Sequence, residues 1–179
     1  MPSNKDRIYV ALYARGGRPT MPGKEDTYHW AVMIGPKMET EDSNGVRYNA
    51  KEILDPGGNP TWEYEELDCN MGATHMLLIR IMVGKVANGR RTIEVLRNTP
   101  MRQGEPGWNC VGWVKEALER LKADGKALGT SNLEWSTVRN KAMEYCQHKK
   151  DQHRFDGQGD FDIRKPPTFD LLEDREVII

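Results

Sequence analysis

The chain has 179 residues, enough for one well-buried core and too few for two ordinary domains. Hydrophobic residues make up 37% and charged residues 30%, with a formal net charge of -1, so a charged globular surface is expected and there is no electrostatic footprint for nucleic acid. No stretch approaches the roughly 20 apolar residues of a membrane span, and the opening Met1-Pro2-Ser3-Asn4-Lys5-Asp6-Arg7 lacks the apolar core of a signal peptide.

Cys69, Cys110 and Cys146 form an odd, scattered set, which argues against a secreted disulfide framework and for a reducing, cytoplasmic setting. Residues 7–13, rich in β-branched and aromatic side chains, read as a first strand. It ends in Arg15-Gly16-Gly17-Arg18-Pro19, a turn-prone loop running to Gly23. A second strand is expected over 27–34, stopped by Gly35-Pro36. Polar residues 37–44 suit an exposed connection to a half-buried return strand over 45–51. The turn cluster 55–60 precedes a strand with one wet face at 62–65. Residues 75–86, the most apolar run, read as a long central strand buried on both faces, with His75 a structural residue at its entrance.

Three helical patterns follow. A short one covers 91–98. A second, over 109–123, aligns Val111, Val114, Ala117, Leu118 and Leu121 and is closed by Gly125; a third, over 133–149, aligns Trp135, Val138, Ala142, Tyr145 and Cys146. Beyond Arg154 the sequence has breakers and no period. Residues 155–179 are expected to extend from a 1–154 domain, draped over it or partly mobile, with the apolar end Val177-Ile178-Ile179 able to dock on the sheet or on a partner. The fold class implied is α+β, an antiparallel sheet packed against helices.

Two segments carry chemistry: Tyr28-His29-Trp30-Ala31-Val32 and Trp108-Asn109-Cys110-Val111-Gly112. Asn109 is a favoured N-cap residue, which sets Cys110 in the first turn of a helix, where the helix end favours a thiolate and lowers the thiol pKa from roughly 8.5. The alternative is a small apolar residue where the helix meets the sheet. His29 shares a strand face with Ala31 and Met33, and as a base it depends on pairing with Cys110. If the second and third strands form a hairpin, Asn49 lies beside His29, with Arg47 and Lys51 on the same face. Asn49 would orient the imidazole in a Cys-His-Asn set, or be a polar residue on an exposed strand face. The backbone N–H of Cys110 and the side chain of Gln103 are candidate oxyanion donors, and Trp108 with Asn109 would border the substrate pocket. His148 and His153, five apart, form no zinc signature with Cys146, and neither a metal nor another cofactor is expected.

A histidine strand followed by Asn-Cys opening a helix resembles the circularly permuted branch of the papain-like fold, which includes NlpC-type relatives, lecithin:retinol acyltransferase-like proteins and PPPDE peptidases. The chain is also similar, over most of residues 7–150, to small fungal proteins of uncharacterised activity that share the Tyr-His-Trp-Ala and Trp-Asn-Cys-Val segments. The resemblance implies His29 as base and Cys110 as nucleophile. It leaves the third residue open, since acyltransferase-like members often place a second histidine there, and the chain lacks their hydrophobic anchor.

The expected activity is a cysteine-dependent hydrolase or acyltransferase acting on an amide, peptide or (thio)ester through an acyl-enzyme. Its partners would be a small-molecule, peptide or acyl substrate, without nucleic acid or a membrane span. The alternatives are a non-catalytic binding module that keeps the fold and a redox-sensing thiol at Cys110.

Overall fold

The computed structural model describes residues 4–74 and 76–179; Met1, Pro2 and Ser3 and the strand-entrance residue His75 lie outside the described residues. The protein is α+β, with three α-helices and a mixed, open sheet of eight strands among the described residues. The strands are β1 (Arg7–Ala14), β2 (Tyr28–Gly35), β3 (Asn44–Leu54), β4 (Pro60–Asn70), β5 (Leu77–Val86), β6 (Leu128–Ser131), β7 (Thr168–Asp170) and β8 (Arg175–Ile178). The helices are α1 (Gly89–Arg97), α2 (Cys110–Asp124) and α3 (Trp135–Asp151). Spatial order is β4-β3-β2-β1-β5-β7-β8, with β6 also paired to β5. Every pairing is antiparallel except the parallel one between β5 and β7.

Alternation along the strands sorts the core into two faces. On one, Ile8, Val10 and Leu12 of β1, Trp30 and Val32 of β2 and Ile79, Ile81 and Val83 of β5 meet the apolar stripes of α2 and α3. There α2 lies across β2 and β3, and α3 across β5 and β1. On the other face, Tyr9, Ala11 and Tyr13 pack with Ala31, Met33, Met71 and Met82. Both faces of β5 are therefore covered, as its apolar run requires.

Local signals place the helix ends. Asn88 accepts the Arg91 N–H at 3.1 Å to start α1, earlier than the apolar spacing implied. Gly125, at φ 69°, ends α2 in the left-handed conformation that glycine adopts without a Cβ penalty. Gly112 has a packing role: a Cβ there would lie 2.9 Å from Trp108 Cδ1, so its absence admits the indole against α2.

The segment after Arg154 returns to the sheet as β7 and β8, so its apolar end docks on the fold. Lys149 of α3, 1% exposed as a side chain, ion-pairs with Glu176 of β8 at 2.5 Å, and the Tyr145 hydroxyl donates to the same carboxylate at 2.5 Å. The Arg154 guanidinium donates to the carbonyls of Asp162 and Lys165 (3.2 and 2.6 Å). No helix among the described residues is long and apolar enough to cross a membrane.

Candidate active site

Asn109 caps α2 with its side-chain oxygen on the Val111 N–H at 2.9 Å, which puts Cys110 at the first helical position. The β2–β3 ladder covers only Val32–Ile34 against Tyr48–Val46. Towards the start of β2 the two strands part, and there the Trp30 N–H donates to Cys110 Sγ at 3.5 Å. The Trp30 nitrogen is two bonds from the His29 Cα, so the sulfur lies within about 6 Å of that atom.

His29 reaches this backbone step from the opposite face of the sheet. It alternates with Ala31 and Met33, and its ring tilts against Tyr13 at 6.1 Å between centroids. Among the described residues the imidazole makes no hydrogen bond, to Cys110 or to any other group. Asn49 extends from β3 on the same side as His29. It is 1% exposed, and its buried Oδ1 has no hydrogen-bond partner among the described residues. Arg47, two residues earlier, pairs with Glu65 at 3.0 Å and lies over the Tyr13 ring at 5.1 Å. Glu65 also pairs with Lys51 at 3.5 Å.

Electrostatics at the site run against the depressed thiol pKa expected at a helix start. Cys110 is 5% exposed, and burial pushes its thiol above the ordinary value. The Trp30 N–H, the charge of Arg15 and the amides of Val111 and Cys110 oppose that shift without cancelling it. The expectation fails because the helix end stabilises a thiolate only in part, while exclusion of water disfavours it more. His29 is held down to about 4 by burial, with Arg47 and Arg15 acting in the same direction and Glu65 against them. Thiol and imidazole are both neutral around pH 7.

The remaining site residues serve the surrounding loops. Gln103 holds the start of β4: Oε1 accepts from the Trp62 N–H and the Thr61 hydroxyl, each at 3.0 Å, and Nε2 donates to the Trp62 carbonyl at 2.5 Å. Trp108 packs edge-on against Trp62 at 5.5 Å. The Asn109 amide nitrogen contacts Met21 Sδ at 3.4 Å, joining the loop after β1 to the start of α2.

Arg15 was not singled out from the sequence. Its guanidinium donates to the Asp26 carbonyl and pairs with the Asp26 carboxylate at 3.8 Å, and its charge acts on both Cys110 and His29. The available signal was its position, immediately after the first strand and before Gly16-Gly17. Asp26, whose carboxylate accepts from Thr20 and Met21, fixes that loop.

No curated protein and no solved structure matches the chain. The family comparison does find a match, and it covers nearly every residue of the fold just described: the chain belongs to the family of unknown function DUF6914, whose model matches residues 5–178.

Proposed function

We propose that the protein is a cysteine-dependent hydrolase or acyltransferase of permuted papain-like architecture, acting on an amide, peptide or (thio)ester through an acyl-enzyme on Cys110. The observation that carries this reading is the sulfur of Cys110, held at the start of α2 against the N–H that directly follows His29. On the other face of the sheet lie two groups that make no hydrogen bond among the described residues, the His29 imidazole and the buried Asn49 Oδ1. Completing a Cys-His-Asn set requires the imidazole to swing from its own face into the gap where β2 and β3 part, with one ring N–H on Asn49 and the other nitrogen towards the thiol. A neutral imidazole is the form that accepts a proton.

In the reaction the thiol proton passes to His29 as the sulfur attacks the carbonyl carbon. The new C–S bond leaves an oxyanion for the Cys110 backbone N–H. Collapse breaks the bond to the leaving group, which departs with the proton from His29. Attack by water on the thioester gives hydrolysis, and attack by an amine or alcohol gives transfer.

The test is acylation by p-nitrophenyl acetate, followed by mass-spectrometric mapping. The expected result is an acetyl group on Cys110, formed at least about 100-fold more slowly in His29→Ala. Acylation of Cys69 or Cys146 as fast as Cys110, or a Cys110 rate indifferent to His29→Ala, overturns the proposal.

A second reading, a non-catalytic binding module on the same fold, draws on the burial of Cys110 and on the absence, among the described residues, of a hydrogen bond from His29. Folded protein that leaves all its cysteines unacylated favours it.

A further inference from the structure

At the end of the sheet that holds His29, a cavity of about 340 Å³ opens between β1, β2, β5 and the end of α3. Its lining residue Tyr28 precedes His29 in β2 and faces the helices, the side from which Cys110 reaches the strand, while the imidazole lies on the other face. Ala14, Tyr28, Leu78 and Phe155 give it an apolar wall. Two cations line it, Lys150 and Arg15, the second of which also pairs with Asp26 at 3.8 Å. The Lys150 ammonium lies 4.6 Å from the Tyr28 ring centroid, and among the described residues no carboxylate pairs with it. Asp156 also lines the cavity, but its carboxylate is engaged by His153 at 2.5 Å and by the Gln158 N–H at 3.0 Å.

We propose that this cavity receives a short apolar arm ending in a carboxylate, carried by the substrate that Cys110 acylates from, with Lys150 and Arg15 holding the charge. The inference rests on the thiol reading of Cys110 and adds the chemical class of its substrate. The volume lies at the small end of ligand sites and suits one amino-acid side chain or a compact acid. A free ammonium beside an aromatic ring favours an anion over a neutral group of the same shape. The nearby Asp156 charge favours a monoanionic carboxylate over a doubly charged phosphate. Arg15 lines the cavity, and its charge lowers the pKa of both Cys110 and His29.

The experiment compares phenylacetate with phenylacetamide, which share a shape and differ in charge. Binding is followed by NMR, and each compound is tested as an inhibitor of Cys110 acylation by p-nitrophenyl acetate. Phenylacetate is expected to bind about tenfold tighter, to perturb residues around Tyr28 and Phe155, and to slow acylation, with the preference lost in Lys150→Gln. Lys150 is exposed, so that substitution leaves the core intact. Arg15→Gln, which also touches the loop, serves as the second variant.

Equal binding of the two compounds, or a preference unchanged in both variants, overturns the substrate assignment while His29-dependent acylation keeps the thiol reading standing. A charge preference without any acylation of Cys110 overturns the thiol reading, and the substrate assignment with it.

Discussion

At Cys110 two opposed effects meet, a helix start that favours thiolate and a buried position that disfavours it, and burial prevails. Iodoacetamide alkylation of Cys110 in the folded protein is accordingly expected to rise steadily with pH, with no plateau below about 8.5. A plateau well under that value would show that the helix end dominates. His29 makes a separate statement about stability. Its folded pKa is depressed to about 4 from the ordinary 6.5, so between those values the unfolded chain carries a proton that the native state does not. Its contribution is therefore complete above the unfolded pKa and is lost as pH falls through the window towards the folded one, to a limit of about 3 kcal/mol. Urea unfolding of wild type and His29→Asn at about pH 7 and about pH 4 isolates the contribution; a difference between the two proteins that stays constant across this range refutes it.

At the scale of elements, β8 is fastened to α3 through the Lys149–Glu176 pair and the Tyr145 hydroxyl. Glu176→Gln removes the counter-charge of a buried ammonium and is expected to cost about 2–3 kcal/mol, with Tyr145→Phe costing about 1. Denaturant midpoints check the order of the two effects. Legibility at this scale follows from how local each signal is. The start of α2 could be read because Asn109 acts within its own turn, on the Val111 N–H. The short strands β6, β7 and β8 could not, because four residues or fewer carry no usable alternation and their pairing partners are remote in sequence. For the candidate site, the sequence supplied Cys110, His29 and Asn49 as residue types. The parting of β2 from β3, which lets the sulfur reach Trp30, depends on how far their ladder extends.

For the whole molecule, β7 hydrogen-bonds to β5, and the hydroxyl of its Thr168 accepts from the buried Arg80 guanidinium at 3.0 Å, so the last strands belong to the same core as the first. Heat or urea should unfold the protein in one transition, with tryptophan fluorescence (Trp30 and Trp113 are fully buried) and far-UV circular dichroism coinciding. Two separated transitions would make residues 155–179 an independent appendage.

The sequence by itself determined the α+β class, the long apolar strand β5, the amphipathic helices and the cap that sets Cys110 at a helix start, because periodicity and capping act over a few residues. Only the tertiary structure decided that His29 and Cys110 approach one backbone step from opposite faces, that both are neutral near pH 7, and that the charge of Arg15 acts on both. Those outcomes depend on strand divergence, on exclusion of water and on charges brought together from distant parts of the chain, and none of these is a property of a local segment.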